Sequence, residues 1–332
     1  MDSFSGKLAV VTGGGSGMGQ ELVRQLAAQG CSVAACDIDT GAVAATAAAT
    51  AAGAPAGVLV TGHGCDVSDE AQVLRFRDEV VAQHGRDHVN LVFSNAGIGG
   101  GGSFVSDSRE EWERTFATDW WGVYYCARAF VPLLIKSDEG VLVNTSSVNG
   151  LWASLGPGSP QTAYAAAKFA VRGFTEALIE DLRTNAPHVA VALVLPGHVG
   201  TNIITNSQRA HGHPTAQTMS QSDLDEARAK MAGAGLDVAD RTDDDLRQMI
   251  AQMAAAFKEK APVSAAQAAT TILDAVRAGT WRILIGKDAV WIDERVRADP
   301  GGAYDYTGFF STVREDLAPP AEEPPAPVTP EA

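Results

Sequence analysis

The chain has 332 residues, a formal net charge of −15 and a hydrophobic fraction of 45%. This length and apolar content are enough to bury a hydrophobic core. The negative charge argues against a nucleic-acid partner, because phosphate binding needs clustered Lys and Arg. No apolar run is long enough to span a bilayer and residues 1–7 lack a signal-peptide pattern, so we expect a soluble, cytoplasmic protein with no membrane partner.

The cysteines form no CxxC pair, and no His cluster accompanies them. Their apolar surroundings favour small buried side chains over metal ligands or disulfides. We therefore predict no metal site. The four cysteines are Cys31, Cys36, Cys65 and Cys126.

A glycine-rich turn follows the first strand-like run, residues 8–11, and precedes a helical pattern that begins near Leu22. Glycine tolerates positive φ and lets the backbone approach a ligand closely, and a helix N-terminus attracts a pyrophosphate. A glycine cluster alone is also compatible with an ordinary tight turn. The turn predicts cofactor contacts at Gly13, Gly15, Ser16, Gly17, Met18 and Gly19.

The second strand-like run, residues 31–37, ends in the acidic residue Asp37. In a dinucleotide fold, an acid at this distance from the glycine turn hydrogen-bonds the adenosine ribose. Its charge would also repel a 2′-phosphate, which favours NAD over NADP. The alternative role is a helix cap, for which Asp39 competes. We include the neighbouring Ile38 in the predicted cofactor site.

Strands and helices alternate through the rest of the first 200 residues. This rhythm predicts an α/β fold with a Rossmann-type, doubly wound parallel sheet of about seven strands and helices on both faces. We predict the remaining strands at 57–60, 89–93, 140–144, 188–194 and 281–285, and further helices at 40–53, 69–84, 109–136, 161–185 and 263–278. The helix at 69–84 is expected to be capped by Ser68 or Asp69.

Residues 203–261 break the alternation with two polar helical patterns, 223–231 and 243–257. We expect this segment to be a substrate-lid insertion in a single domain spanning 1–287, with a fixed dimer arm as the alternative. Residues 288–317 are predicted to pack on the domain as an extension. The Pro-rich residues 318–332 are predicted to be a disordered tail.

These motifs, taken in order, resemble the short-chain dehydrogenase/reductase family, in its single-domain branch with the spacing TGxxxGxG. The resemblance implies an NAD-dependent enzyme that interconverts a secondary alcohol and a ketone. A dehydratase or epimerase on the same fold, or a non-catalytic NAD-binding sensor, remains as an alternative. The matching segments are TGGGSGMG at 12–19, Asp37, Asp66-Val67, Asn95-Ala96-Gly97, Ser147, Tyr164-xxx-Lys168 and Pro196-Gly197.

The resemblance implies that Tyr164 is the general acid/base and that Ser147 holds the substrate oxygen. It implies that Lys168 also binds the nicotinamide ribose. Tyr164 and Lys168 are four residues apart in a helical run, so they share one face. A free tyrosine has a pKa of about 10, and a nearby ammonium group favours the phenolate and lowers that value.

Two features depart from the family pattern. The stretch between Ser147 and Tyr164 is longer than usual, with extra residues in a loop at 151–161 that would border the substrate. Asp119 also stands where the family commonly carries asparagine, in a position implied to support a water beside Lys168. Aspartate can hold a water too, but it adds charge there, so we include it among the candidate catalytic residues.

The resemblance also assigns the remaining cofactor and substrate contacts. A small, mainly apolar secondary alcohol or ketone is the expected substrate. The helices 109–136 and 161–185 are apolar on more than one side, which predicts a homodimer or homotetramer. The implied contacts are Asp66 and Val67 for adenine; Asn95, Ala96 and Gly97 beside the cofactor; Pro196, Gly197, Val199 and Thr201 near the nicotinamide; and Ser147, Asn149, Trp152 and His198 for substrate.

Overall fold

Seven parallel strands form the central sheet of the structure, a computed structural model that describes residues 1–154, 156, 160–233 and 236–305. Two short further strands pair with one another outside that sheet. In chain order, the strands are β1 Leu8–Thr12, β2 Ser32–Asp37, β3 Val60–Gly64, β4 Leu91–Ser94, β5 Gly140–Thr145, β6 Val189–Pro196, β7 Val199–Gly200, β8 Val263–Ser264 and β9 Arg282–Ile285.

The order of the strands across the sheet is β3-β2-β1-β4-β5-β6-β9. β1 pairs with β2 on one side and with β4 on the other, so the direction of winding reverses at β1. In such sheets, ligands bind in the crevice that opens at the carboxyl ends of the strands beside the reversal. The predicted doubly wound α/β fold is therefore confirmed, and the fold itself directs attention to the ends of β1, β4 and β5.

Helices cover both faces of this sheet. In chain order, they are α1 Gly17–Ala28, α2 Thr40–Gly53, α3 Glu70–His84, α4 Arg109–Phe116, α5 Gly122–Ile135, α6 Thr162–Asn185, α7 Ile203–Ala210, α8 Gln221–Gly233, α9 Asp243–Glu259, α10 Ala265–Arg277 and α11 Lys287–Ala298. The side chains of α1, α2 and α10 form one buried core with the sheet, and those of α3, α5 and α6 form a second core on the opposite face.

The third strand lies later in the chain than predicted. The sequence indicates a strand at 57–60, whereas β3 pairs with β2 from Val60 through Gly64. β3 is an edge strand whose buried His63 is satisfied by a 2.7 Å contact with the Glu79 carboxylate. An apolar run was therefore a poor guide to its position, because the paired residues Thr61 and His63 are polar.

The predicted long helix at 109–136 contains a defect. α4 and α5 are joined without a break by a five-residue π-helical segment, Ala117–Trp121. Such segments are rare and occur frequently at functional sites. Asp119 lies in the middle of this one and is fully buried.

The insertion at 203–261 has a small core of its own. The apolar faces of α8 and α9 pack on each other around Leu224, Val238 and Leu246, which are all buried. Ahead of them lies α7, which the sequence patterns did not predict. The two predicted helical patterns in this segment therefore form a hairpin, and its second helix, α9, also packs against α7 and β7.

The C-terminal extension packs on the body through Trp152. The indole N–H of Trp152 donates a 2.8 Å hydrogen bond to the carbonyl of Ala303, and its ring lies against Trp291 and Ile292 of α11. Beyond residue 305, the predicted extension and the predicted disordered tail at 318–332 fall outside the described residues.

The four cysteines are buried and free, as predicted. Among the described residues, no helix is both long enough and apolar enough to cross a membrane. Within those same ranges, no group of three His, Cys, Asp or Glu side chains is placed to hold a metal ion.

Candidate active site

The glycine turn after β1 has the geometry of an anion-binding site. Gly13 and Gly17 have φ values of +69° and +55°, in the region that favours glycine. A Cβ at Gly13 would lie 2.9 Å from the backbone of Ala96, and one at Gly19 would collide with the carbonyl of Gly13. The first turn of α1 carries no acidic side chain, and Ser16 makes no capping bond there. These features fit a pyrophosphate at the helix N-terminus.

Asp37 lies against this turn rather than capping a helix. Its carboxylate accepts hydrogen bonds from the backbone N–H of Gly15 at 2.9 Å and of Asp39 at 3.0 Å. Asp39 takes the capping role, since its side chain accepts from the N–H of Ala42 at the start of α2. The neighbouring Ile38 is exposed. An acid held beside the glycine turn fits the ribose-binding position of a dinucleotide fold.

The segment after β4 connects the glycine turn to the reacting groups. The N–H groups of Asn95 and Ala96 both donate to the Thr12 hydroxyl at 3.0 Å. The Asn95 amide donates to the Thr12 carbonyl, and its own oxygen is buried with no hydrogen-bond partner among the described residues. One residue later, a Cβ on Gly97 would lie 2.6 Å from an Asp119 carboxylate oxygen. Any side chain at position 97 would therefore displace the Asp119 carboxylate.

Tyr164 and Lys168 lie on α6 and face the same crevice. The Lys168 ammonium nitrogen is 5.4 Å from the centre of the Tyr164 ring. It donates to the carbonyl of Thr145 at 3.3 Å and lies 3.5 Å from a carboxylate oxygen of Asp119. Lys168 is 3% exposed and Asp119 is 0% exposed, so the ion pair is almost fully removed from water.

Asp119 is held by the same backbone that lines the cofactor crevice. Its Oδ1 accepts a 3.0 Å hydrogen bond from the N–H of Ile98. Its Oδ2 is buried, with no hydrogen-bond partner in the part of the chain that the structure describes. Burial raises the pKa of Asp119 to about 6, although Lys168 and the Ile98 N–H act to lower it.

Burial and the charges of this cluster together set the pKa of Tyr164. Burial raises the pKa of Tyr164, Lys168 lowers it, Asp119 raises it, and a hydrogen bond with Ser147 lowers it. The net pKa lies above its usual value. For Lys168, burial lowers the pKa, but Asp119 and Tyr164 raise it by more. Lys168 by itself lowers the pKa of Tyr164, as expected. The expectation that the net pKa would fall is wrong, because the sum of all these effects raises it.

The two serines after β5 serve different purposes. The Ser146 hydroxyl donates to the backbone carbonyl of Lys168 at 2.8 Å and so joins β5 to α6. The Ser147 hydroxyl bonds with Tyr164 and accepts from the N–H of Asn149. The side-chain amide nitrogen of Asn149 is buried and unpartnered among the described residues. Ser147 thus lies beside the tyrosine, while Ser146 is bonded to the backbone of α6.

The turn after β6 returns the chain to the glycine turn. Pro196 ends β6, Val199 is buried in β7, and the next polar residue, Thr201, would contact a Cβ on Gly17 at 3.2 Å. The structure therefore brings Thr201 and the N-terminus of α1 together.

Asp66 and Val67 follow β3. The Asp66 carboxylate accepts hydrogen bonds from the backbone N–H and the hydroxyl of Ser68.

Two residues expected to contact substrate have partners within the fold. A ring nitrogen of His198 is 2.7 Å from the carbonyl of Phe257, which attaches the end of α9 to the body. Trp152 is 3% exposed and packs under the C-terminal extension, so it does not line an open pocket. Apolar character alone did not distinguish a pocket wall from a packing surface. The 151–161 loop beside it is described only at 151–154, 156 and 160–161.

Sequence reasoning missed several residues that hold this site. The Asp288 carboxylate, at the start of α11, accepts a 2.6 Å hydrogen bond from the N–H of His198 and so supports the turn after Pro196. On α7, Asn206 donates to the Ser16 hydroxyl at 3.0 Å, and Ser207 accepts from the N–H of Gly99 at 2.8 Å. The available signal was a cluster of polar residues directly after Thr201.

Comparisons with known proteins agree with this geometry. Residues 7–212 match the model of the short chain dehydrogenase family. The oxidoreductase SadH of Mycobacterium tuberculosis is 40% identical over 212 residues, which is 64% of this chain and 74% of SadH. The meso-2,3-butanediol dehydrogenase of Serratia marcescens is 34% identical over 60% of this chain and 74% of its own.

A solved structure shows the same likeness over more of the chain. A short chain dehydrogenase/reductase from Burkholderia phymatum, in complex with NAD, superposes with a TM-score of 0.71 and 29% identity, covering 90% of this chain and 96% of that one. The fold, the glycine turn and the Tyr164–Lys168 pair define a nucleotide-binding oxidoreductase. The chain belongs to the short-chain dehydrogenase/reductase family.

Proposed function

We propose that the protein is an NAD-dependent oxidoreductase that interconverts a secondary alcohol and a ketone. One observation carries the proposal: Ser147, Tyr164 and Lys168 converge at the end of β5, and residues 95–97 connect them directly to the glycine turn. A proton-transferring group thus lies next to a site suited to a dinucleotide. Acid–base catalysis at a carbonyl oxygen needs this adjacency.

The residues present fit a nicotinamide dinucleotide. The turn from Gly13 to Gly19 would hold the pyrophosphate, Asp37 the adenosine ribose, and Asp66 with Val67 the adenine. Lys168 and Thr201 would hold the nicotinamide half. When bound, the nicotinamide ring supplies the site where hydride is accepted or released.

Tyr164 moves the proton that accompanies the hydride. In ketone reduction, its hydroxyl donates a proton to the carbonyl oxygen, and in alcohol oxidation its phenolate accepts the hydroxyl proton. The Ser147 hydroxyl, already bonded with Tyr164, donates to the same substrate oxygen and stabilises the charge that develops there. The Lys168 ammonium favours the phenolate form of Tyr164.

The preference for NAD is supported by Asp37. Its carboxylate is fixed by Gly15 and Asp39, and a fixed negative charge there would repel a 2′-phosphate. The similar structure from Burkholderia phymatum contains NAD. A secondary alcohol is supported by the similarity to a meso-2,3-butanediol dehydrogenase.

Steady-state kinetics with both cofactors test this proposal. We expect NADH formation with a panel of small secondary alcohols that includes meso-2,3-butanediol, with kcat/KM higher for NAD than for NADP. In the double variant Asp37→Ala/Ile38→Arg, the preference should shift toward NADP, because a repelling charge is replaced by an attracting one.

The variant Tyr164→Phe is the control for chemistry. It should bind NAD like the parent but lose turnover by at least about a hundredfold, because it lacks the acid–base group. A preference of the parent for NADP, or activity confined to highly charged acids, would contradict the proposal. NAD binding without turnover of any substrate would favour a sensor, and release of water from the substrate without net redox change would favour a dehydratase.

We further propose that residues 203–261 act as a lid, with α7 as its closing element. α7 lies over the glycine turn through the Asn206–Ser16 hydrogen bond, and Arg209 is 3.8 Å from Asp39 across the crevice. Both side chains of that ion pair are well exposed, so it contributes little to stability and can open. Closing α7 would exclude water from the site.

Hydrogen exchange distinguishes this lid from a fixed arm. We expect the amides of 203–210 to gain protection when NAD and a substrate analogue are added, because ligand would hold α7 closed. The helix α10, which carries none of the proposed cofactor contacts, serves as the internal reference whose protection should not change. Protection of 203–210 that is high and unaffected by ligand would contradict the lid and support a dimer arm.

We also propose that the protein is a homo-oligomer that buries an aromatic surface formed by the π-helical segment, α5 and α6. This surface, named here the aromatic face, consists of Trp120, Trp121, Tyr124, Tyr125 and Phe174, whose rings contact one another. Trp121 remains 41% exposed, and Phe169, also on α6, is 40% exposed. A second copy of the chain is the expected partner, because large exposed aromatic patches mark interfaces.

Light scattering tests the oligomer. At micromolar concentration we expect the mass of two or four chains, and Trp121→Glu should reduce it because a charge would enter an apolar interface. Leu59→Glu is the matched control: Leu59 is 42% exposed and precedes β3 at the far edge of the sheet. A monomeric parent, or dissociation by the control alone, would contradict the aromatic face as an interface.

A further inference from the structure

Asp119 is a buried negative charge that the proposed chemistry does not use. It is 0% exposed and lies within the π-helical segment between α4 and α5. A carboxylate in such a place is costly unless it is paired. Its one charged partner among the described residues is Lys168, at 3.5 Å.

The Lys168 ammonium group therefore lies between two groups whose negative forms it can stabilise. Asp119 lies on one side and Tyr164 on the other, with the Lys168 nitrogen 5.4 Å from the tyrosine ring. The charges that act on Tyr164 are those of Lys168, which favours the phenolate, and of Asp119, which opposes it. Around this pair, the loop at 97–98 contributes only backbone groups, and Ser147 contributes a neutral hydroxyl.

The charge state of Asp119 follows from its surroundings. Burial raises its pKa to about 6, so the carboxylate is ionised above that pH and remains negative throughout the range in which Tyr164 loses its proton. Across that range, the positive charge of Lys168 is balanced by Asp119. Burial already opposes the release of the Tyr164 proton, and Asp119 offsets part of the help that Lys168 gives to that release.

We propose that Asp119 is a positioning residue that neutralises Lys168 and so keeps Tyr164 protonated at neutral pH, in the form that donates a proton to a ketone. This inference rests on the proposed function, because only that reaction makes the protonation state of Tyr164 matter. The site is thereby suited to carbonyl reduction at neutral pH, and alcohol oxidation is confined to alkaline pH.

The variant Asp119→Asn isolates the charge. An asparagine oxygen can still accept from the Ile98 N–H, so the local backbone contact is kept while the negative charge is lost. Without that charge, Lys168 acts on Tyr164 alone, and the phenolate forms at lower pH. If this variant does not fold, Asp119→Ser removes the same charge with a smaller side chain.

The direct readout is the absorbance of tyrosinate during a pH titration, which needs neither cofactor nor substrate. The chain has five tyrosines, so each background is compared with its own Tyr164→Phe counterpart to isolate Tyr164. We expect the Tyr164 midpoint in Asp119→Asn to lie about one pH unit below that of the parent. An unchanged or higher midpoint would overturn the inference.

Kinetics then connect the titration to the reaction. For Asp119→Asn, the rise of alcohol oxidation and the fall of ketone reduction with pH should both move to lower pH, whereas a merely structural role would lower both rates without moving either curve. Asp293→Asn is the matched control, because Asp293 is also buried and ion-paired, but with Arg282 of β9 and Arg297 of α11 rather than with Lys168. Absence of turnover in the parent would reject the proposed function, while the tyrosinate titration would still decide the role of Asp119.

Discussion

The ion pair between Lys168 and Asp119 is the constraint on which the rest of the site depends. Two opposite charges lie 3.5 Å apart with almost no access to water. Removing either charge from water costs several kcal/mol, at order of magnitude, unless the other is present. The pair therefore fixes α6 against the π-helical segment, and Tyr164, one turn before Lys168, takes its position from that packing.

The sheet brings the other groups to this pair. β1, β4 and β5 end at the same edge, where the winding of the sheet reverses. β1 supplies the glycine turn, β4 supplies residues 95–97, and β5 supplies Ser147. Gly97 is the point at which they meet, since a Cβ there would be in contact with both Asp119 and Lys168. The cofactor crevice and the proton-transfer cluster thus share one wall.

Much of this arrangement could be predicted from the sequence. Buried parallel strands read as continuous apolar runs, and the motifs lie at the strand ends, so the fold class and the approximate position of the site follow from periodicity and spacing. The position of β3 could not be predicted in the same way, because its paired residues include the polar Thr61 and His63. The π-helical segment also has no signal in the spacing of apolar residues.

Other features depend on distances that only the folded chain defines. The roles of Trp152 and His198 turn on what packs against them, residues 303 and 257, which are far away in sequence. The net pKa of Tyr164 depends on the balance between burial, Lys168 and Asp119. The cofactor preference, the lid and the oligomer remain predictions.

A double-mutant cycle on the ion pair tests the central claim most directly. We expect Lys168→Met to lower the free energy of unfolding by about 3–5 kcal/mol at about pH 8, because Asp119 is left buried and unpaired. This loss of unfolding free energy should become smaller toward about pH 5. The folded-state pKa of Asp119 lies above its unfolded value, so the ionisation of Asp119 destabilises the folded state as pH rises. Adding Asp119→Asn to Lys168→Met should recover most of the loss. A loss that is independent of pH and unrecovered in the double variant would contradict the account.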